Sequence, residues 1–337
     1  MKPNSENNNI ITVRNLQRRF PVEKSFFRKS KSYVHAVNSV NLNLPEGKTI
    51  GLVGESGCGK TTIGRLITTL DEPDGGEILF KGENVVQMAE NDRLAYSKKV
   101  QIIFQNPYAS LNPRQRIYQI FREVLKVHHL ANRGTIEDEI DRLLNTVGIS
   151  PEYRYHYPFE FSGGQRQRLC IARALAVQPE VVVCDEPVSA LDVSVQSQIL
   201  KLLKSLQEQF GLTYLFISHD LSVVYHICDY VYIMYLGQIM EEGQVEEIFH
   251  QPKHPYTKAL LNAVPVPDPE NKRKRVILGG DVPNPVNPPS GCPFHTRCPQ
   301  RMDICDKQRP AFISFSETHR ALCWLYEDNR AAAEGGK

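Results

Sequence analysis

A largely parallel α/β sheet with an appended C-terminal region is the fold that this 337-residue sequence predicts, and three observations carry the prediction. Short apolar runs such as KTIGLVGES, EVVVCDEP and TYLFIS end in turn or acidic residues, as buried strands do. Long stretches of helical spacing lie between them, among them RQRLCIARALAVQ and VSVQSQILKLLKSLQEQF. A glycine-rich loop joins the first apolar run to a helix, and buried strands alternating with helices build a mainly parallel sheet.

The loop is GESGCGKT, Gly54 to Thr61, set between the apolar run TIGLV and the helical TIGRLITTL. That strand, loop and helix context is what a P-loop requires. Its glycines let backbone N–H groups close around a β-phosphate, Lys60 reaches the β- and γ-phosphates, and the Thr61 hydroxyl ligates Mg²⁺. The motif predicts binding of ATP or GTP. Farther on, VVVCDEP delivers Asp185 and Glu186 to the carboxyl edge of the sheet, where open α/β folds bind ligands. Asp185 is placed to hold the Mg²⁺ shell, and Glu186 to orient and deprotonate a water attacking the γ-phosphate. Alone, such a pair would read as a helix N-cap. TYLFIS ends in His219, which emerges at the same edge and can contact the γ-phosphate or serve structure.

A second stretch, FSGGQRQR, looks like a phosphate site without a lysine. Ser162 caps a helix, while Gly163 and Gly164 bare their N–H groups at its positive end. An ordinary capped helix start is the alternative. Cys58, inside the P-loop, is either a reactive thiol activated by Lys60 and the helix start or a tolerated small residue.

Composition limits the partners. A net charge of +2 from 40 basic and 38 acidic residues gives no nucleic-acid footprint. The polar start MKPNSENNNI and the lack of any long apolar run predict a chain neither secreted nor membrane-spanning by itself. No internal repeat is visible. Ten of the 22 prolines fall between Pro252 and Pro293, with the basic run NKRKR at Asn271 to Arg275, describing an extended segment with little core of its own. It leads to Cys292, Cys298, Cys305 and Cys323, whose intervals of five, six and seventeen residues fit neither a zinc knuckle nor a ferredoxin run. Clustered thiols in a chain without a secretion signal favour a metal over disulfides.

Taken in order, these motifs resemble the ATP-binding subunits of ABC transporters. The resemblance implies an ABC-type P-loop NTPase domain over residues 1–250, with a mixed, largely parallel sheet, an antiparallel β subdomain and a helical subdomain at about 90–162. It also implies a Pro/Cys-rich C-terminal extension over residues 251–337. ATP would be held by Gly54, Ser56, Gly57, Cys58, Gly59, Lys60, Thr61 and Thr62, with Phe20 stacked on adenine and Tyr33 as the competing aromatic. Gln105 in IIFQNP is similar to the Q-loop glutamine, so that Thr61, Gln105 and Asp185 would serve Mg²⁺ and Glu186, His219 and Gln105 catalysis. Ser162, Gly163, Gly164 and Gln165 correspond to the signature that binds ATP on a second subunit in a head-to-tail dimer. Ser189, Ala190, Leu191 and Asp192 correspond to the D-loop at that interface.

The tail, with QPKHPYTKALLNAVPVPDP and GCPFHTRCPQRMDIC, resembles the ATPases of oligopeptide and dipeptide importers, a group that includes nickel importers. YPFEFSGGQRQR and GESGCGKTT resemble the second of the two ATPases that such importers pair. The implied function is ATP hydrolysis that powers solute import from the cytoplasmic face of the membrane. The implied partners are two transmembrane permease subunits, a related second ATPase or a second copy, and indirectly an extracytoplasmic solute-binding protein. The four tail cysteines would hold a [4Fe-4S] cluster, with Zn²⁺ or unligated thiols as the alternatives. A soluble ABC machine is the competing class, disfavoured by a single cassette without a long heptad run.

Overall fold

The computed structural model describes residues 8–22, 32–128, 130, 135–263 and 279–327. The polar first seven residues, most of the insert before Tyr33 and the basic run Asn271 to Arg275 lie outside them. The chain opens with two long strands, β1 (Asn9–Pro21) and β2 (Tyr33–Pro45), followed by β3 (Thr49–Val53) and α1 (Lys60–Ile67). Next come β4 (Gly75–Phe80), β5 (Glu83–Asn84), α2 (Glu90–Lys99), β6 (Val100–Ile103), α3 (Pro107–Ser110), α4 (Ile117–Val127) and α5 (Ile136–Thr146). The central segment comprises α6 (Gly163–Leu175), β7 (Val181–Asp185), α7 (Val193–Phe210), β8 (Thr213–Ser218), α8 (Leu221–Ile227) and β9 (Tyr230–Tyr235). β10 (Gln238–Gln244), α9 (Val245–His250), α10 (Pro255–Ala263), β11 (Phe312–Ser314) and β12 (Arg320–Leu322) complete it.

Two sheets result. β2, β1, β4 and β5 form an antiparallel one, and the main sheet runs β11-β12-β10-β9-β3-β8-β7-β6. Its five strands from β9 to β6 are parallel. Successive side chains of a strand point to opposite faces. Val181 and Val183 accordingly pack with β1, β2 and α1, whereas Val182 and Cys184 join the core beneath α4 to α8. α7 matches the helical spacing read from the sequence: it buries Ile199, Leu203 and Leu206, about 1.5–3 kcal/mol each. It ends at Gly211 in the left-handed conformation that favours glycine.

The order of the sheet builds the site. β8 stands between β3 and β7, with Val53 level with Ser218 and Ile217 level with Asp185. The residues that follow these three strands therefore leave the sheet at one edge. The stretch 90–162 also holds α2 and an edge strand of the main sheet, β6, hydrogen-bonded to β7; its other helices begin at Pro107.

Of the Pro252–Pro293 stretch expected to be extended, residues 264–278 lie outside the described residues, but the tail beyond it is not poor in core. β12 pairs with β10 and β11 with β12, so the tail adds two antiparallel strands to the main sheet. Phe294 is wholly buried, 5.3 Å from the ring centres of both Tyr235 and Tyr256, and Cys292, Cys305 and Leu322 belong to the same core. Aromatic side chains flanking the prolines supply the apolar area that the composition alone did not suggest.

Candidate active site

β3 feeds the P-loop, and α1 begins at Lys60. Gly59 caps that helix with φ of 107°, and a Cβ there would stand 2.0 Å from the Ala36 carbonyl oxygen, so no side chain fits. The Lys60 ammonium is buried and folds back onto the loop, donating to the Gly54 and Glu55 carbonyls at 2.7 and 2.9 Å. The Thr61 hydroxyl donates to Asp185 Oδ1 at 3.0 Å. Burial holds the Asp185 carboxyl above its ordinary range; the Thr61 hydrogen bond opposes that rise and the neighbouring Glu186 charge adds to it. A bound divalent cation would reverse the balance, and the oxygen donors of Thr61 and Asp185 suit a hard cation such as Mg²⁺.

Glu186 follows β7 in the left-handed region, with φ of 47°, a conformation costly for a residue with a Cβ. Its N–H still continues the sheet by donating to the Ile217 carbonyl at 3.0 Å. The backbone twist sends its carboxylate into the cleft. There the Gln105 amide donates to Oε2 at 2.8 Å, and His219 Nδ1 lies 3.1 Å from Oε1. Gln105, Glu186 and His219, 114 positions apart in the chain at their extremes (219 − 105), thus meet at one point.

These residues and the whole loop from Gly54 to Thr62 line a cleft of about 640 Å³, within the size range of small-molecule sites. Phe20 is among the lining residues and Tyr33 is not; the Arg18 guanidinium covers the Phe20 ring at 4.8 Å. Two further lining residues, Leu260 and Pro285, come from the tail, and the Pro285 carbonyl accepts the His35 N–H at 3.1 Å. Tyr256 and Arg297, also from the tail, bind Glu55 inside the P-loop. Sequence reasoning missed all four, because neither motif nor spacing marks them.

Ser162 to Gln165 line no part of this cleft. Ser162 caps α6, its hydroxyl accepting the Gln165 N–H at 3.3 Å while the Gln165 side chain accepts the Ser162 N–H at 2.9 Å. Gly164 has a packing role as well, since a Cβ there would meet Val195 at 2.5 Å. In the segment Ser189 to Asp192, Ser189 and Ala190 are exposed, and the Ser189 hydroxyl donates to the Glu186 carbonyl at 3.1 Å.

Two cysteine expectations meet different outcomes. Cys58 is buried, and burial raises its thiol despite the adjacent Lys60, which is the behaviour of a packed small residue rather than an activated nucleophile. In the tail, burial pushes Cys292 up to about 12 and Cys323 up to about 11, and neighbouring thiols add to the rise at both. The backbone N–H groups of Phe294, Gln300 and Leu325 oppose this at Cys292, Cys298 and Cys323, and the Met302 N–H donates to Cys305 Sγ at 3.5 Å. Four sulfurs, each supplied with an N–H donor, have the chemistry of a thiolate metal set. Their positions do not form one: among the described residues no group of three or more His, Cys, Asp or Glu side chains stands in metal-holding geometry.

A P-loop on a parallel sheet, with two carboxylates, a glutamine and a histidine at the same edge, defines a P-loop nucleoside triphosphatase site. The family profile described as ABC transporter matches residues 37–189, and that described as oligopeptide/dipeptide transporter, C-terminal region, matches residues 240–305. The chain is 47% identical to the oligopeptide transport ATP-binding protein AppF of Bacillus subtilis (strain 168), over 94% of this chain and 97% of that protein. It is 47% identical to the dipeptide transport ATP-binding protein DppF of Haemophilus influenzae, over 95% and 97%. It is also similar to a solved dimeric ATP-binding cassette in a post-hydrolysis state with ADP and phosphate bound: TM-score 0.60, 26% identity, covering 70% of this chain and 98% of that one. The chain belongs to the family of oligopeptide and dipeptide transport ATP-binding proteins.

Proposed function

We propose that this chain is the ATP-hydrolysing subunit of an importer of oligopeptides or dipeptides, working at the cytoplasmic face of the membrane with two transmembrane permease subunits. The observation that carries the reading is the Glu186 carboxylate, held at the mouth of the P-loop cleft by Gln105 and His219, beside the Thr61–Asp185 pair. Mg²⁺, held by Thr61 and Asp185 with Gln105 alongside, would offset the charge of the β- and γ-phosphates. Lys60 exchanges its two carbonyl partners for phosphate oxygens, and the N–H groups at the start of α1 face the same anion. Gln105 and His219 each engage one oxygen of Glu186, orienting the carboxylate, and each oxygen keeps acceptor capacity with which Glu186 would take the proton of an attacking water.

Ser162 to Gln165, outside their own cleft, would close over the nucleotide of a second cassette, and Ser189 to Asp192 would cross between the two. The likeness to a cassette solved as a dimer supports this pairing. The second cassette would be a related ATPase, or a second copy of this chain, and an extracytoplasmic solute-binding protein would deliver the peptide. ATP-driven closure then shifts the permeases between conformations, and hydrolysis resets them.

Cys292, Cys298, Cys305 and Cys323, which do not stand in metal-holding geometry here, would have to draw together to hold a four-iron four-sulfur cluster, or zinc, and would then contribute folding energy to the tail. Protein purified without oxygen should then contain iron with acid-labile sulfide, or zinc; finding neither would leave the thiols as plain core. The function is tested by capturing the Glu186→Gln variant from detergent-solubilised membranes with ATP and Mg²⁺. Two polytopic membrane proteins and a related ATPase are expected, and recovery of soluble proteins alone would point to a soluble ABC machine.

A further inference from the structure

We propose that Arg297 is a positioning residue for the P-loop: it holds Glu55 in place while Lys60 leaves the loop for the nucleotide. The inference rests on the ATPase reading above. Glu55 is gripped at three points. Its N–H donates to Tyr256 Oη at 2.9 Å, its carbonyl accepts from Lys60 Nζ at 2.9 Å, and its carboxylate takes two bonds from Arg297, Nη1 to Oε2 at 2.7 Å and Nη2 to Oε1 at 3.1 Å. Binding a triphosphate weakens the middle grip, because the same ammonium is needed on the phosphates and leaves the Glu55 carbonyl with only the Cys58 N–H at 3.3 Å. The two that reach Glu55 from outside the loop both come from the tail.

The tail residues are themselves fixed. The Arg297 side chain is only 8% exposed, against 25% for Glu55, so the planar fork is held in a dry, two-pronged pair rather than a solvated surface contact. The Arg297 N–H donates to the Phe294 carbonyl at 3.0 Å, in the turn that runs from Cys292 to Cys298. Phe294 in turn wedges against Tyr256, the other residue that holds Glu55. Tyr256 and Arg297 thus form one brace on the loop. Without the guanidinium, Glu55 would be free to swing, and its carboxylate would stand unpaired in the wall of a cleft that takes a polyanion.

The test separates positioning from folding. Steady-state ATP hydrolysis and binding of a fluorescent ATP analogue are measured for the full chain as wild type, Arg297→Met and Arg297→Lys, each with its thermal midpoint without nucleotide. Arg297→Met should raise KM and the analogue's Kd about tenfold, a coupling normal for contacting residues, while kcat at saturation stays within about twofold. Arg297→Lys, which keeps the charge but loses the fork, should recover part of the affinity. Unchanged KM and Kd in both variants would overturn the proposal. So would KM and kcat worsening together with a lowered midpoint and no recovery in the lysine variant. If Arg297→Met does not fold, a raised KM at unchanged kcat and midpoint in Arg297→Lys carries the proposal, and wild-type affinity in that variant overturns it. Wild-type protein that binds no ATP would instead sink the ATPase reading itself.

Discussion

Acidification should loosen the junction between the tail and the P-loop through His254, just before α10. The ring is 1% exposed and packs 5.7 Å from Phe294, and its Nδ1 accepts the Tyr256 N–H at 3.0 Å, which requires that nitrogen to be unprotonated. Burial pushes the imidazole down to about 4; Lys258 adds to the fall, and the Glu241 carboxylate, which accepts the His254 backbone N–H at 3.0 Å, opposes it. The folded pKa lies below the ordinary 6.5, so the stabilisation is complete above the unfolded value and is lost as pH falls toward the folded one. At 1.36 kcal/mol per pH unit the full loss is about 3 kcal/mol, and about 2 kcal/mol of it is gone by pH 5. Urea unfolding between pH 7 and pH 5 would be compared for wild type and His254→Asn, whose amide oxygen can accept the same N–H but does not titrate. Wild type should lose about 2 kcal/mol more than the variant over this range. Parallel pH dependences would refute the argument.

Three further outcomes follow from the geometry. Glu186→Gln should lower the rate of phosphate release at least about a hundredfold while leaving binding of a fluorescent ATP analogue intact; an undiminished rate would move the general base elsewhere. Gly164→Ala puts a Cβ 2.5 Å from Val195 and should cost about 1–3 kcal/mol in urea unfolding, partly restored by adding Val195→Ala. No cost would mean that α7 yields freely at this contact. Cys58, buried and with its thiol raised by burial, should resist iodoacetamide in the native protein and react once it is denatured, as read by mass spectrometry. Rapid native labelling would restore the activated-thiol reading.

The nucleotide side of the site was legible because its residues are contiguous. Gly54 to Thr62 and Val181 to Glu186 each carry strand, turn and functional group within a few positions, so local pattern and tertiary placement coincide. Even there, two features were invisible. Nothing in the pattern announces that Glu186 sits at positive φ, because the turn follows from the β7–β8 ladder continuing through its N–H. Nor does it say that Gly164 is needed against Val195. The aromatic of the cleft was left between Phe20 and Tyr33, since an insert obscured the alignment, and of the two only Phe20 lines the cleft.

The tail shows why the rest was hidden. Its composition was read as that of a segment too rich in proline to build core, and that inference holds for a chain that must bury its own surface alone. Here the aromatic residues bury against Tyr235 of β9, a strand laid down before the tail begins, so the relevant apolar area belongs to two distant segments. The same juxtaposition brings Tyr256 and Arg297 to Glu55, across 201 and 242 positions of sequence. Contacts of that separation leave no period to detect in a single chain. A P-loop can therefore be recognised from eight residues, while what steadies it when Lys60 turns to the phosphate is settled by where the last sixty described residues pack.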